Sequence, residues 1–109
     1  MKATRRHVMV WVTVPDRATA RRVARAVLTA KAAACVNIVP GVESHYWWKG
    51  KIEKGRELLL IMKTSQARLR ALERWVKEVH PYETPEFVVT PLKAGSEPYL
   101  DWIDSSTAD

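Results

Sequence analysis

Residues 35–63 read CVNIVPGVESHYWWKGKIEKGRELLLIMK, and this stretch decides the fold. Ala34–Val39 is strand-like, Pro40-Gly41 interrupts it as a bulge or bend, and Val42–Trp48 resumes it. Lys49-Gly50 suits a tight turn. Lys51–Lys63 then returns as a third strand, its apolar half at Leu58–Met62. The stretch is therefore a long antiparallel hairpin.

Upstream, His7–Val14 predicts a buried strand rich in valine, with His7 at its frayed start. Pro15 stops it and Asp16 caps a helix. Ala20, Val23, Ala24, Val27 and Leu28 fall on one face of that helix, which Lys31-Ala32-Ala33-Ala34 closes. Downstream, Thr64-Ser65 predicts the cap of a second helix, with Leu69, Leu72, Val76 and Val79 turned inward and His80-Pro81 ending it. Glu86–Thr90 forms a short fourth strand. Ser96 caps a last helix, with Pro98 in its first turn and Tyr99, Trp102 and Ile103 for packing. The class is α+β: a ferredoxin-like βαββαβ order with an antiparallel sheet, a long hairpin between the second and third strands, and a C-terminal helix.

The hairpin outruns its cover. Strands of ~13 residues reach ~43 Å, whereas helices of ~15 residues reach ~22 Å. Alternation places Tyr46 and Trp48 on one face of the projecting ribbon and Trp47 on the other. Adjacent exposed aromatics mark an interface, so self-association is expected.

With 109 residues, the chain is expected to form one domain, 1–109. The longest run of large apolar residues, Leu58–Met62, is far too short to span a bilayer, so no membrane insertion is expected. The single cysteine, Cys35, excludes an intramolecular disulfide. Thr4-Arg5-Arg6 only faintly resembles a twin-arginine signal and no cleavage site follows, so a cytoplasmic protein is expected. The net charge of +6 is uneven. Residues 1–42 hold eight Lys/Arg against Asp16 alone, whereas residues 43–109 hold ten Lys/Arg and eleven Asp/Glu. The surplus centres on Arg17, Arg21, Arg22 and Arg25, a basic patch of the kind that binds nucleic acid or anionic ligands, although a solvated helix face is the favoured reading.

Chemistry-bearing motifs are sparse. There is no Gly-x-Ser-x-Gly, Cys-x-x-Cys or His-Glu-x-x-His, and four glycines build no phosphate loop. Cys35 reads as a small buried hydrophobe. His80 stands near Tyr82, Glu83 and Glu86, a set of N and O donors, but as a helix-end residue it also suits the dipole. RNA recognition on this fold needs aromatics on the central strands, and Arg56–Lys63 has none, so no nucleic-acid partner is expected.

Six ordered blocks carry a resemblance: Thr13–Asp16, Ala33–Gly41, Tyr46–Glu53, Met62–Thr64, His80–Glu86 and Tyr99–Trp102. From about Val8 to Ile103 the chain resembles the CutA divalent-cation-tolerance family. The resemblance implies a non-enzymatic homotrimer built through the long hairpins, similar in architecture to PII signalling proteins, with a role in tolerance of copper and other divalent cations. The family's copper positions, a cysteine and two adjacent histidines, correspond here to Val12, Val79 and His80. Only His80 offers a donor, so no cofactor beyond weakly held copper or another divalent cation is expected. Simple pairing about Lys49-Gly50 sets Lys63 opposite Val36, beside Cys35. The resemblance then implies an inter-subunit pocket of Cys35, Lys63, His80, Tyr82, Glu83 and Glu86, with Trp48 nearby. Such residues either bind a small anionic ligand, as in a PII-like sensor, or only lock the trimer.

Overall fold

The structure, a computed structural model, describes residues 1–108. Its elements are β1 (Lys2–Ala3), β2 (His7–Val14), α1 (Arg17–Thr29), β3 (Cys35–Trp48) and β4 (Lys51–Ser65). A 3₁₀ turn at Gln66–Arg68 leads into α2 (Leu69–Val79), followed by β5 (Val88–Pro91), β6 (Ala94–Gly95) and α3 (Glu97–Ser106). The main sheet runs β3-β4-β2-β5 with every neighbour antiparallel, and β1 pairs with β6 apart from it. This is the expected ferredoxin-like arrangement.

Alternation builds the core. Val8, Val10, Val12 and Val14 of β2 and Leu60 and Met62 of β4 share one sheet face. Ala20, Val23 and Val27 of α1 and Leu72 and Val76 of α2 close over them. Each fully buried Val or Leu contributes about 1.5–3 kcal/mol relative to exposure. Asp16 caps α1: its Oδ1 accepts from the Thr19 N–H at 2.7 Å. That bond, aided by Arg22, holds the carboxyl below its usual range.

Several local expectations are corrected. Thr64-Ser65 does not cap α2, because β4 continues to Ser65 and the 3₁₀ turn intervenes. Thr64 lies on the helix-facing side of β4, so its hydroxyl enters the core and donates to the Ala32 carbonyl at 2.7 Å. In α3, Leu100 and Ile103 are buried, while Tyr99 and Trp102 lie exposed on the neighbouring face. His7 is not frayed. It is 3% exposed, hydrogen-bonded to Thr4 Oγ1 and paired with Asp104 at 2.8 Å, and so fastens β2 to α3. The fourth strand is Val88–Pro91 rather than Glu86–Thr90, because its pairing with β2 runs only from Val88 opposite Trp11 to Pro91 opposite Val8.

The hairpin does outrun the helices. β3 and β4 have 14 and 15 residues against 13 and 11 for α1 and α2, and the molecule extends to 44 Å along its longest axis. Lys49 and Gly50 both take positive φ at the turn. The distal register follows simple pairing, Trp48 with Lys51 down to Val42 with Glu57. A bulge between Val39 and Val42 then adds one residue to β3. Lys63 therefore pairs with Cys35 itself, not with Val36. The bulge also switches the parity of β3: Val39 and Val42 both face away from the helices, opposite Leu59 and Glu57.

Candidate functional site

The sheet face away from α1 and α2 carries the odd-numbered residues of β2 and of the proximal β4, Met9, Trp11, Thr13, Glu57, Leu59, Ile61 and Lys63. β3 adds Cys35, Asn37 and Val39 below the bulge and Val42, Tyr46 and Trp48 above it. Two polar clusters stand on this face, separated by Leu59 and Ile61.

The first cluster lies where β3 begins and β4 ends. Lys63 Nζ donates to Asn37 Oδ1, and no carboxylate pairs with it among the described residues. Cys35, half-buried, lies across the ladder from Lys63, and its Sγ is 3.7 Å from the Tyr99 hydroxyl. Burial, then the bond to Cys35, pushes the Tyr99 phenol up to about 12.

The second cluster sits near the bulge. His80 ends α2 and is 6% exposed. Its Nε2 lies 2.7 Å from the Thr13 carbonyl oxygen, a pure acceptor, so that nitrogen carries the hydrogen. Nδ1 accepts from the Tyr82 N–H at 3.1 Å, and the Tyr82 ring tilts over the imidazole at 4.7 Å. The Tyr82 hydroxyl donates to Glu57 Oε2 at 3.0 Å. Burial, then that hydrogen bond, pushes the Tyr82 phenol up to about 12. Glu86 is raised as well, first by burial and then by the Glu57 charge.

The expected residues thus divide. His80, Tyr82 and Glu86 stand together around Glu57, while Cys35 and Lys63 form the other cluster. Glu57 and Lys63 are six residues apart on β4, about 20 Å at the usual strand rise. Glu83 is exposed and outside both clusters' hydrogen bonds. Trp48 lies at the hairpin tip, 13 residues from Cys35 along β3 and so about 40 Å away. Within one chain they do not make a single pocket. Three participants went unread as such in the sequence: Asn37, Glu57 and Tyr99. Glu57 carried the clearest signal, an acid flanking an apolar run directly opposite an interrupted strand.

Both His80 nitrogens are committed within the chain, and neither presents a free lone pair. Among the described residues no three His, Cys, Asp or Glu side chains stand close enough to hold a metal ion.

An antiparallel sheet covered by two helices on one face, with a projecting hairpin and a terminal helix, defines a ferredoxin-like protein with its other sheet face largely open. The sequence model described as CutA1 divalent ion tolerance protein matches residues 8–106. The crystal structure of CutA1 from Oryza sativa superposes with a TM-score of 0.92 at 44% identity, covering 99% of each chain. The Cut A1 structure from Thermus thermophilus gives 0.91 at 42% identity, covering 94% of this chain and 99% of that one. The divalent-cation tolerance protein CutA of Thermus thermophilus is 43% identical over 91% of this chain and 96% of its own length. The chain belongs to the CutA1 divalent ion tolerance family. It spans little more than half the length of the plant and animal relatives it matches, 58% for the rice chloroplastic protein and 54% for the human one.

Proposed function

We propose that the chain acts in divalent-cation tolerance as a non-enzymatic cytoplasmic homotrimer. The observation that carries this reading is the apolar surface left open. Trp47 is 72% exposed, Ile52 66% and Trp48 48%, and Val39, Val88 and Val89 are also exposed. Such a surface needs a partner, and the ribbon of one copy laid against the open sheet face of the next is a head-to-tail contact that can close into a ring of three. Docking there would set another chain's residues against Lys63 and Glu57, completing two half-sites. Light scattering at micromolar concentration tests the assembly: the expected mass is about 37 kDa, three times 12.4 kDa, and a stable 12.4 kDa species overturns it. One solved relative, from Archaeoglobus fulgidus, is described as periplasmic, so cell fractionation is the direct test of compartment.

Copper binding in this reading is weak. Val12 and Val79 offer no donor atoms, and copper must displace the Tyr82 N–H to reach His80 Nδ1. Copper(II) heads the divalent affinity order, so single imidazoles still retain some. A titration should show low-affinity uptake, and tight binding that survives His80→Ala would assign the ligands elsewhere.

A second reading rests on Lys63. Its ammonium is satisfied by a neutral amide rather than a carboxylate, which leaves its charge open to a small anion in the assembled cleft, as in a PII-like sensor. Thermal shifts against nucleotides, phosphates and carboxylates, with Lys63→Met as control, separate the sensor from the scaffold.

A further inference from the structure

The helix layer concentrates charge in a way the sheet does not. α1 and the segment from Gln66 to Val79 hold eight Lys/Arg and two Asp/Glu, while the rest of the chain holds ten of each. The entire net charge of +6 therefore resides on one layer of the molecule. Arg68 joins the two helices at one end, its guanidinium donating to the Ala30 carbonyl at 3.1 Å and the Lys31 carbonyl at 3.2 Å. Arg17, Arg21 and Arg25 recur at i, i+4 and i+8, a single stripe rising about 6 Å per step. Arg70 and Arg74 repeat the spacing on α2, where with Lys77 and the layer's two acids, Glu73 and Glu78, they line a shallow cleft of about 370 Å³. All five of these arginines are exposed, and none has an ion pair or side-chain hydrogen bond within the described residues. On the same layer Lys77 is paired with Glu73 at 3.5 Å, and Arg22 donates to Thr19 Oγ1 at 3.3 Å.

We propose that this layer docks on the phosphate backbone of duplex nucleic acid without reading its sequence. Seven of the layer's eight cations are arginines, whose planar fork matches phosphate oxygens two at a time. The stripes are held on helices packed to a valine core, so the charges are placed before the partner arrives. An anionic lipid surface fits less well, because the only large apolar side chains exposed on the layer, Leu28 and Trp75, are each more than half covered and supply no inserting wedge. The absence of aromatics on the proximal third strand, which argues against RNA binding on the sheet, has no bearing on this opposite face.

The salt dependence of binding is the test. Anisotropy of a labelled 20-base-pair duplex, titrated with the full chain at 25–200 mM salt, should give a log–log slope of about −4.5 per bound chain, about −0.9 for each of five phosphates. Replacing Arg17, Arg21 and Arg25 together with Gln should flatten the slope by about 2.7, and three Lys replacements should restore most of it. Circular dichroism of each variant confirms that the fold is retained. Two duplexes of unrelated sequence should bind within a few-fold of each other. No binding at 25 mM salt, or an unchanged slope in the Gln variant, overturns the proposal. Binding to phosphatidylglycerol vesicles but not to duplex also overturns it and reassigns the layer to lipid.

Discussion

Truncating His80 to alanine separates a structural imidazole from a metal ligand. The side chain is 6% exposed, and its Nε2–H is the donor that reaches the Thr13 carbonyl at 2.7 Å. Its removal leaves a strand carbonyl without that partner at a cost of about 1–3 kcal/mol. The Tyr82 N–H loses its acceptor as well, but Tyr82 is exposed and water replaces the ring nitrogen there. Loss of the ring's packing against Tyr82 and the cavity left behind add about 1–2 kcal/mol. The expected total is about 3 kcal/mol, which for a domain of this size lowers Tm by roughly 12 °C or more. Urea denaturation at fixed protein concentration measures it through the midpoint, and His80→Asn, a smaller side chain that keeps an N–H, should recover part of the loss. A cost below about 1 kcal/mol would refute the inference that the imidazole ties α2 to β2. So would a destabilisation seen only when copper is present, since the hydrogen bonds invoked need no metal.

Thr64→Val keeps shape but removes the hydroxyl that donates to Ala32, and should cost about 1–2 kcal/mol in denaturation midpoint, with Thr64→Ser closer to wild type. Replacing Trp47 and Trp48 with Ser should weaken assembly by about 4 kcal/mol or more, read as a concentration-dependent shift to monomer in sedimentation. Alkaline titration should show stability falling above pH 10, because the unfolded chain releases its phenol protons there while Tyr82 and Tyr99 keep theirs to about 12. Tyr82→Phe should make that decline shallower, and an unchanged pH profile would show that the phenol's surroundings differ in solution.

The element order, the two amphipathic helices and the projecting hairpin were legible because each depends on local period and on turn chemistry at Lys49-Gly50. The exact pairing of Lys63 was not, although Pro40-Gly41 was visible as an interruption. Counting back from the turn ignores the extra residue that a bulge inserts, and one residue is enough to move Lys63 from Val36 to Cys35. The same limit hid Glu57, which meets Tyr82 only because a loop 25 residues later returns over the bulge. His7 looked frayed for a related reason, since its anchor Asp104 lies 97 residues away. Tyr99 and Trp102 misled because aromatic character does not say which face of a short helix is covered, whereas Leu100 and Ile103 fit the core.

The overhanging ribbon gives the proposed assembly a link between abundance and survival. Two strands without a third layer are marginal on their own in water, so in that proposed assembly the distal hairpin would draw its order from neighbouring chains. Diluted chains would then present Tyr46–Gly55 as an accessible segment with basic cleavage points at Lys49, Lys51 and Lys54. Assembled chains would shield it. A protease acting on that segment would clear subunits that lack partners and spare those that have found them, so the copy number itself would decide which molecules persist.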